Sequence, residues 1–190
     1  LILGVFWTAI GVAQDTPKKM KIDIRRAEYI EFDENIGNQA RRIVGDVLFE
    51  HNEVLMFCDS AYSYPNNKIE AFGSVHVNQG DTLHMYGDYM EYDGNTNNGK
   101  VQYNVRLKDE ETLLVTDTLY FNSRTNIANY LTGGTITNAD QRLDSQIGYY
   151  YASNKVVHFK DSVRVTTPDY LVKTDTLKYN LRDEIAYFLG

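Results

Sequence analysis

Asp59-Ser60-Ala61-Tyr62-Ser63-Tyr64, then Pro65-Asn66-Asn67, then Ile69-Glu70-Ala71-Phe72-Gly73-Ser74-Val75-His76-Val77, is the stretch on which the reading of the fold turns. Its last part alternates. Ile69, Ala71, Gly73, Val75 and Val77 fall on one face of an extended chain, and Glu70, Phe72, Ser74 and His76 on the other. Successive side chains of a strand point to opposite sides, so a period of two predicts a strand with one apolar face. Pro65-Asn66-Asn67 reads as a turn, because proline presets φ and asparagine tolerates the left-handed region. The unit is a hairpin with a glycine inside its second strand, where glycine marks a bend or a bulge.

That unit recurs along the chain. Aromatic residues stand at Tyr64, Tyr92, Phe121, Tyr150 and Tyr179, one in each successive repeat of about 29 residues. Nine to twelve residues after each comes a second column, Gly73, Tyr103, Gly133, Asp161 and Gly190, where Tyr103 and Asp161 require a bulged corner. Two residues further, Val75, Val105, Thr135 and Val163 open alternating strands, and Phe32, Gly45 and Val47 supply a degenerate first copy. In the fifth copy Val157, Phe159, Asp161, Val163 and Val165 alternate with His158, Lys160, Ser162 and Arg164. Met90 with Tyr92, Leu119 with Phe121, and Leu177 with Tyr179 share a face in the other strand type. Self-similarity at this period means stacked supersecondary units, none able to bury its apolar face alone. No segment has helical apolar spacing. The expectation is an all-β fold of stacked antiparallel hairpins, forming two facing sheets elongated along the array.

Composition agrees. Fifteen tyrosines among 190 residues, with three prolines, favour strands. A net charge of −7 with no basic block argues against nucleic acid as a partner. The one cysteine, Cys58, excludes an internal disulfide, and neither paired cysteines nor paired histidines have zinc-site spacing. Residues 1–13 (LILGVFWTAIGVA) read as a secretory signal peptide whose n-region is missing, with Gly11 and Ala13 before the cut. Residues 14–21 then form a linker and 22–190 the repeat domain, truncated at its C-terminal end. Export would place the protein in the periplasm.

The pattern D-[ST]-[LA]-x-[YF] followed by A-x-G-x-V-x-V is seen best from Asp59 to Val77. It is echoed from Thr174-Asp175-Thr176-Leu177-Lys178-Tyr179 to Ala186-Tyr187-Phe188-Leu189-Gly190. In this it resembles the OstA-like, or LptA-type, family of periplasmic lipopolysaccharide-transport proteins. Its Tyr- and Asn-rich character is similar to the OstA-like proteins of Bacteroidetes-type bacteria. The resemblance implies an elongated, V-shaped β-jellyroll whose groove holds the acyl chains of lipopolysaccharide. It also implies end-to-end association with copies or with other lipopolysaccharide-transport proteins, as a bridge or as the N-terminal part of an outer-membrane translocon.

On that reading the groove is lined by Val47, Phe49, Val75, Val77, Met90, Tyr92, Val105, Leu107, Leu119, Phe121, Val163, Val165, Leu177 and Tyr179. Arg106, Lys108, Arg164 and Lys173 are the basic rim near the headgroups. Burial of about ten methylenes supplies ~8 kcal/mol before ordering costs, against ~0–1 kcal/mol for an exposed ion pair, so the acidic balance does not exclude an anionic lipid. No cofactor, metal or catalytic residue is assigned, and the protein is read as a non-enzyme. The acidic column Asp88, Asp117 and Asp175, joined by Ser60 in the second copy, reads as turn or edge residues bonding local backbone. The four histidines share no partner, and His76 and His158 are taken as solvated. The alternative reading is a structural or carbohydrate-interacting β-solenoid of the cell envelope with no lipid groove. The first strand, Lys21-Ile22-Asp23-Ile24-Arg25, carries no proline, so its edge can pair with another chain.

Overall fold

The computed structural model describes residues 20–32, 39–80, 83–109, 112–151, 153–180, 182–183 and 185–189. The signal peptide, most of the linker and Gly190 lie outside the described residues. Among the described residues there are fifteen strands and no helix. The first eight are β1 (Asp23–Arg26), β2 (Tyr29–Phe32), β3 (Arg41–His51), β4 (Val54–Tyr64), β5 (Lys68–Gln79), β6 (Leu83–Asp93), β7 (Asn98–Asp109) and β8 (Thr112–Asn122). They are followed by β9 (Ile127–Tyr130), β10 (Gly134–Asn138), β11 (Gln141–Ser145), β12 (Ile147–Tyr151), β13 (Val156–Thr166), β14 (Leu171–Asn180) and β15 (Ile185–Leu189). Every pairing is antiparallel, and β3 to β8 form an uninterrupted meander.

Each long strand serves two walls. The register slips between Val44 and Val47, Phe72 and Val75, Gln102 and Val105, and Lys160 and Val163. The two residues inside each gap all have positive φ: Gly45 (84°) and Asp46 (44°), Gly73 (73°) and Ser74 (45°), Tyr103 (64°) and Asn104 (54°), Asp161 (61°) and Ser162 (58°). Two left-handed residues in a row bend the strand as a bulge does. The glycine column is therefore a corner column, and Tyr103 and Asp161 occupy the corner despite their side chains. In the second strand of the fourth repeat and the first strand of the fifth, the corner is a full break. Gly133 (φ 95°) separates β9 from β10, and Gln146 separates β11 from β12. The first wall holds the strand halves paired with β2, β9, β12 and β15, and the second wall those paired with β1, β10 and β11.

Two expectations need correcting in phase. The acidic column runs Asp59, Asp88, Asp117 and Asp175, with Gln146 in the fifth repeat, so Ser60 is not its member. Two of these residues, Asp59 and Asp88, bond side chains at the corner rather than nearby backbone. Asp59 Oδ2 accepts a hydrogen bond from Ser74 Oγ at 3.1 Å, and Asp88 Oδ2 one from Asn104 Nδ2 at 2.6 Å. The Asp59 carboxylate fills the space a β-carbon at Gly73 would need, which adds a steric reason for glycine there. The aromatic column also begins one repeat later than expected. Tyr92, Phe121, Tyr150 and Tyr179 share one interior row, in which Ser63 stands where Tyr64 was expected. Tyr64 lies on the outer face beside Glu70.

The interior is divided. One closed cluster runs from Ile43 to Tyr130 and includes Phe49, Met56, Met90, Val101 and Leu119, each fully buried. A separate, smaller cluster of Val157, Phe159, Val163 and Leu177 lies beyond it. Tyr130 marks the boundary, its ring lying over Gly134 and Gly148 and its hydroxyl 2.6 Å from Ser145 Oγ. Those two glycines leave the room that the ring occupies.

Candidate groove between the walls

The side opposite the corners carries two rows of turns, one ending each wall. All fourteen residues expected to line a groove face the interior. Twelve are buried, and Val165 and Tyr179 are half-buried. They do not form one continuous open channel. Val47, Phe49, Val75, Met90, Tyr92, Val105, Leu119 and Val163 are packed into the two clusters.

Space appears in the C-terminal half. A cavity of about 200 Å³ is lined by Val77, Leu83, Met85, Leu107, Phe121, Ala128 and Tyr150, among others. A larger one of about 410 Å³ is lined by Leu107, Leu114, Ile136, Leu143, Val157, Phe159, Val165, Leu177, Tyr179 and Phe188, among others. The two share Leu107, Asp109 and Tyr150. The larger lies in the ~300–1,000 Å³ range of small-molecule sites, and its wall is mainly aliphatic and aromatic. Alternation along the strands puts these side chains inward while their neighbours face water.

The four basic residues expected at the rim stand elsewhere. Arg106 pairs across the sheet with Tyr86 and lies over its ring at 5.8 Å. Lys108 pairs with His84, and Arg164 with Lys173. All four alternate with interior residues and so belong to the outer face of the second wall. The outer face also corrects the reading of the histidines. His76 Nε2 is 3.1 Å from His84 Nδ1, and its ring stacks between Phe57 and Tyr86. His76 and His158 are both half-buried, the latter edge-on to Tyr151.

Sequence reasoning missed a polar interior row at the mouth. His51, Gln79, Asp109 and Asn138 each end the second-wall part of a repeat, so the row has one member per repeat. Three of them reach across to the first wall. His51 Nδ1 is 2.8 Å from the Tyr92 hydroxyl, which is 2.9 Å from Ser123 Oγ. His51 Nε2 faces the Met20 carbonyl at 3.2 Å. A carbonyl only accepts, so Nε2 carries the proton and Nδ1 accepts from Tyr92. Beside this chain Asn52 Nδ2 donates to Asn97 Oδ1 at 2.8 Å. Gln79 Nε2 donates to Asn126 Oδ1 at 2.8 Å and to the Ser123 carbonyl at 3.1 Å. Asp109 receives the Tyr150 hydroxyl at 3.4 Å and lies 3.9 Å from Lys155 Nζ. Burial holds the Tyr92 and Tyr150 phenols above their ordinary pKa, so both keep their protons for these bonds. The missed signal was a polar residue on the apolar face of each strand, always just before the turn.

Among the described residues no three His, Cys, Asp or Glu side chains gather as a metal site requires. What the arrangement can do is hold an apolar chain between two walls, with polar groups at the exit.

Two antiparallel walls joined at bulged corners, with an apolar interior between them, define a β-jellyroll elongated along its repeats. The chain belongs to the OstA-like protein family, whose model matches residues 19–175. Its fold is similar to that of LptH from Pseudomonas aeruginosa, described as the LptA-homologous periplasmic component of the conserved lipopolysaccharide transport device. The TM-score is 0.52 at 11% identity, covering 56% of this chain and 80% of that chain. None of the curated proteins matches the sequence.

Proposed function

We propose that this protein is a periplasmic, non-enzymatic carrier that helps move lipopolysaccharide to the outer membrane by holding its acyl chains between the two walls. The observation that carries the reading is the pair of adjoining apolar cavities in the C-terminal half, lined by Leu107, Leu143, Val165, Leu177 and Phe188. Membership of the OstA-like family and the jellyroll shared with LptH support it. Residues 1–13 would supply the export signal.

Association is part of the same proposal. β1 pairs only with β3 and leaves its other edge unpaired within the described residues. An open edge can take a strand from another copy or from another lipopolysaccharide-transport protein.

The test is photo-cross-linking in cells that make lipopolysaccharide. A photoreactive amino acid at Val165, inside the larger cavity, should capture the lipid, and the same residue at outward-facing His76 should not. Equal capture at both positions, or none at Val165, would refute the groove. A dry sandwich would also carry no lipid into mass spectrometry after purification.

A further inference from the structure

We propose that the polar row His51, Gln79, Asp109 and Asn138 marks a lateral gate, with a clasp at each of its first three positions, that closes the mouth where lipid is absent and yields to a headgroup where it is present. The inference rests on the lipid reading above. Acyl chains inside and a headgroup outside require an open slot at each occupied rung, and each clasp crosses that slot.

Two regularities argue that the row is a device rather than chance polarity. The first is position. The four residues recur once per repeat on the interior face, where the strand neighbours Phe49, Val77, Leu107 and Ile136 are apolar. The second is reach. The clasps join residues 41 apart (His51 to Tyr92), 47 apart (Gln79 to Asn126) and 41 apart (Asp109 to Tyr150), so each ties a repeat to the one after next.

The clasps are also graded along the molecule. His51 and Tyr92 are each 2% exposed, and Asn97 and Ser123 each 8%, so the first clasp is sealed. Gln79 and Asp109 are half-buried and meet exposed Asn126 and Lys155. At the fourth position Asn138 and Tyr179 both line the larger cavity. The cavity sizes follow the same order, from a filled core, through about 200 Å³, to about 410 Å³. Lipid therefore sits first in the C-terminal half, and occupancy of the smaller cavity requires the threshold at Asp109, Tyr150 and Lys155 to part. When it parts, the Asp109 carboxylate, the Tyr150 hydroxyl and the Lys155 ammonium are left facing the sugar hydroxyls and phosphates of the headgroup.

The experiment closes the threshold covalently in the folded protein. An Asp109→Cys/Lys155→Cys pair is bridged with bismaleimidoethane, then exposed to purified lipopolysaccharide, with a photoreactive residue at Met85 or at Val165. Cys58 does not compete, because burial pushes its thiol up to about 12 and keeps it protonated. Bridging should lower capture at Met85 at least fivefold and leave capture at Val165 unchanged, while each single-cysteine variant treated alike shows no change. Equal capture at Met85 with and without the bridge overturns the gate. Loss at both positions overturns the placement of the resident lipid in the C-terminal half. No capture at either position, bridged or not, overturns the lipid reading and the gate with it.

Discussion

Leu119 and Leu143 are both interior leucines, and the division of the interior predicts that truncating them has unequal effects. Leu119 is fully buried in the closed cluster, between the β7 and β9 neighbours Val101 and Tyr130. Leu119→Ala removes three carbons, about 2.4 kcal/mol of transfer free energy at ~0.8 kcal/mol each. The hydrogen-bonded ladders on both sides prevent collapse, so a cavity term adds to it. The expected loss is about 3–4 kcal/mol, within the usual ~2–5 kcal/mol for such a change. Leu143 is half-buried and faces the larger cavity, so its truncation enlarges an existing space. Only part of the transfer term is lost, and Leu143→Ala should cost about 1 kcal/mol. Urea unfolding followed by circular dichroism gives both values. Hydrogen exchange of the β7–β8 and β11–β13 amides checks that each loss is local, as stacked repeats allow. Equal penalties, to within the error of the two unfolding curves, would refute the distinction between a closed half and an open one.

Three further outcomes are expected. Gly73→Ala puts a β-carbon at φ 73° against the Asp59 carboxylate and should cost roughly 1–3 kcal/mol, part of which Asp59→Ala relieves; strict additivity in a double-mutant cycle would remove the steric argument. Cys58, with its thiol pushed up to about 12 chiefly by burial, should stay unmodified by a disulfide reagent at pH 8 until the chain is unfolded, and rapid native labelling would contradict its place in the core. His76 is held below its ordinary value of 6.5 by burial and then by neighbouring His84, and His158 by burial and then by Lys178. A base depressed in the folded state binds its proton more readily when unfolded, so this stability is complete above about pH 6.5 and lost as pH falls through that value toward the lower folded one. The urea midpoint should therefore drop between pH 7 and pH 5, less so in His76→Gln; an identical slope in the variant would count against His76 as a source.

The repeat and the corner were legible because each rests on a strong local rule. Period-two alternation assigns faces without knowledge of neighbours, and all fourteen interior residues obeyed it. The phase of one column was not legible. An aromatic at Tyr64 lies one residue past the interior row, and a one-residue slip reverses the face of a strand residue. The Asp59 column gave the better phase, since Asp59, Asp88, Asp117, Gln146 and Asp175 keep one constant interval without drift. The basic residues were misplaced for a related reason. Arg106, Lys108, Arg164 and Lys173 alternate with apolar residues, which puts them on the outer face, whereas the mouth is made by residues next to the turns. Which part of the interior is filled was also beyond the sequence. Val77 and Val165 occupy the same place in different repeats, yet Val77 is buried in the closed cluster and Val165 is half-buried beside the larger cavity.

The energetics of the clasps decide how far lipid could penetrate. A hydrogen bond contributes about 1 kcal/mol net, and an exposed ion pair ~0–1 kcal/mol, so the clasps at Gln79 and Asp109 each hold weakly. Two or three newly buried methylenes, at about 0.8 kcal/mol each, offset either one. The first clasp differs in kind. Breaking it would strand His51, Tyr92 and Ser123 in a buried site, at about 1–3 kcal/mol for each group left without a partner. Behind it Phe49, Met56, Met90 and Val101, all fully buried, already pack between the walls. An acyl chain entering there would displace apolar side chains from apolar surroundings and gain little. The same row of polar residues can thus act as a yielding gate toward the C-terminal end and as a fixed seal toward the N-terminal end, and burial alone sets which behaviour prevails.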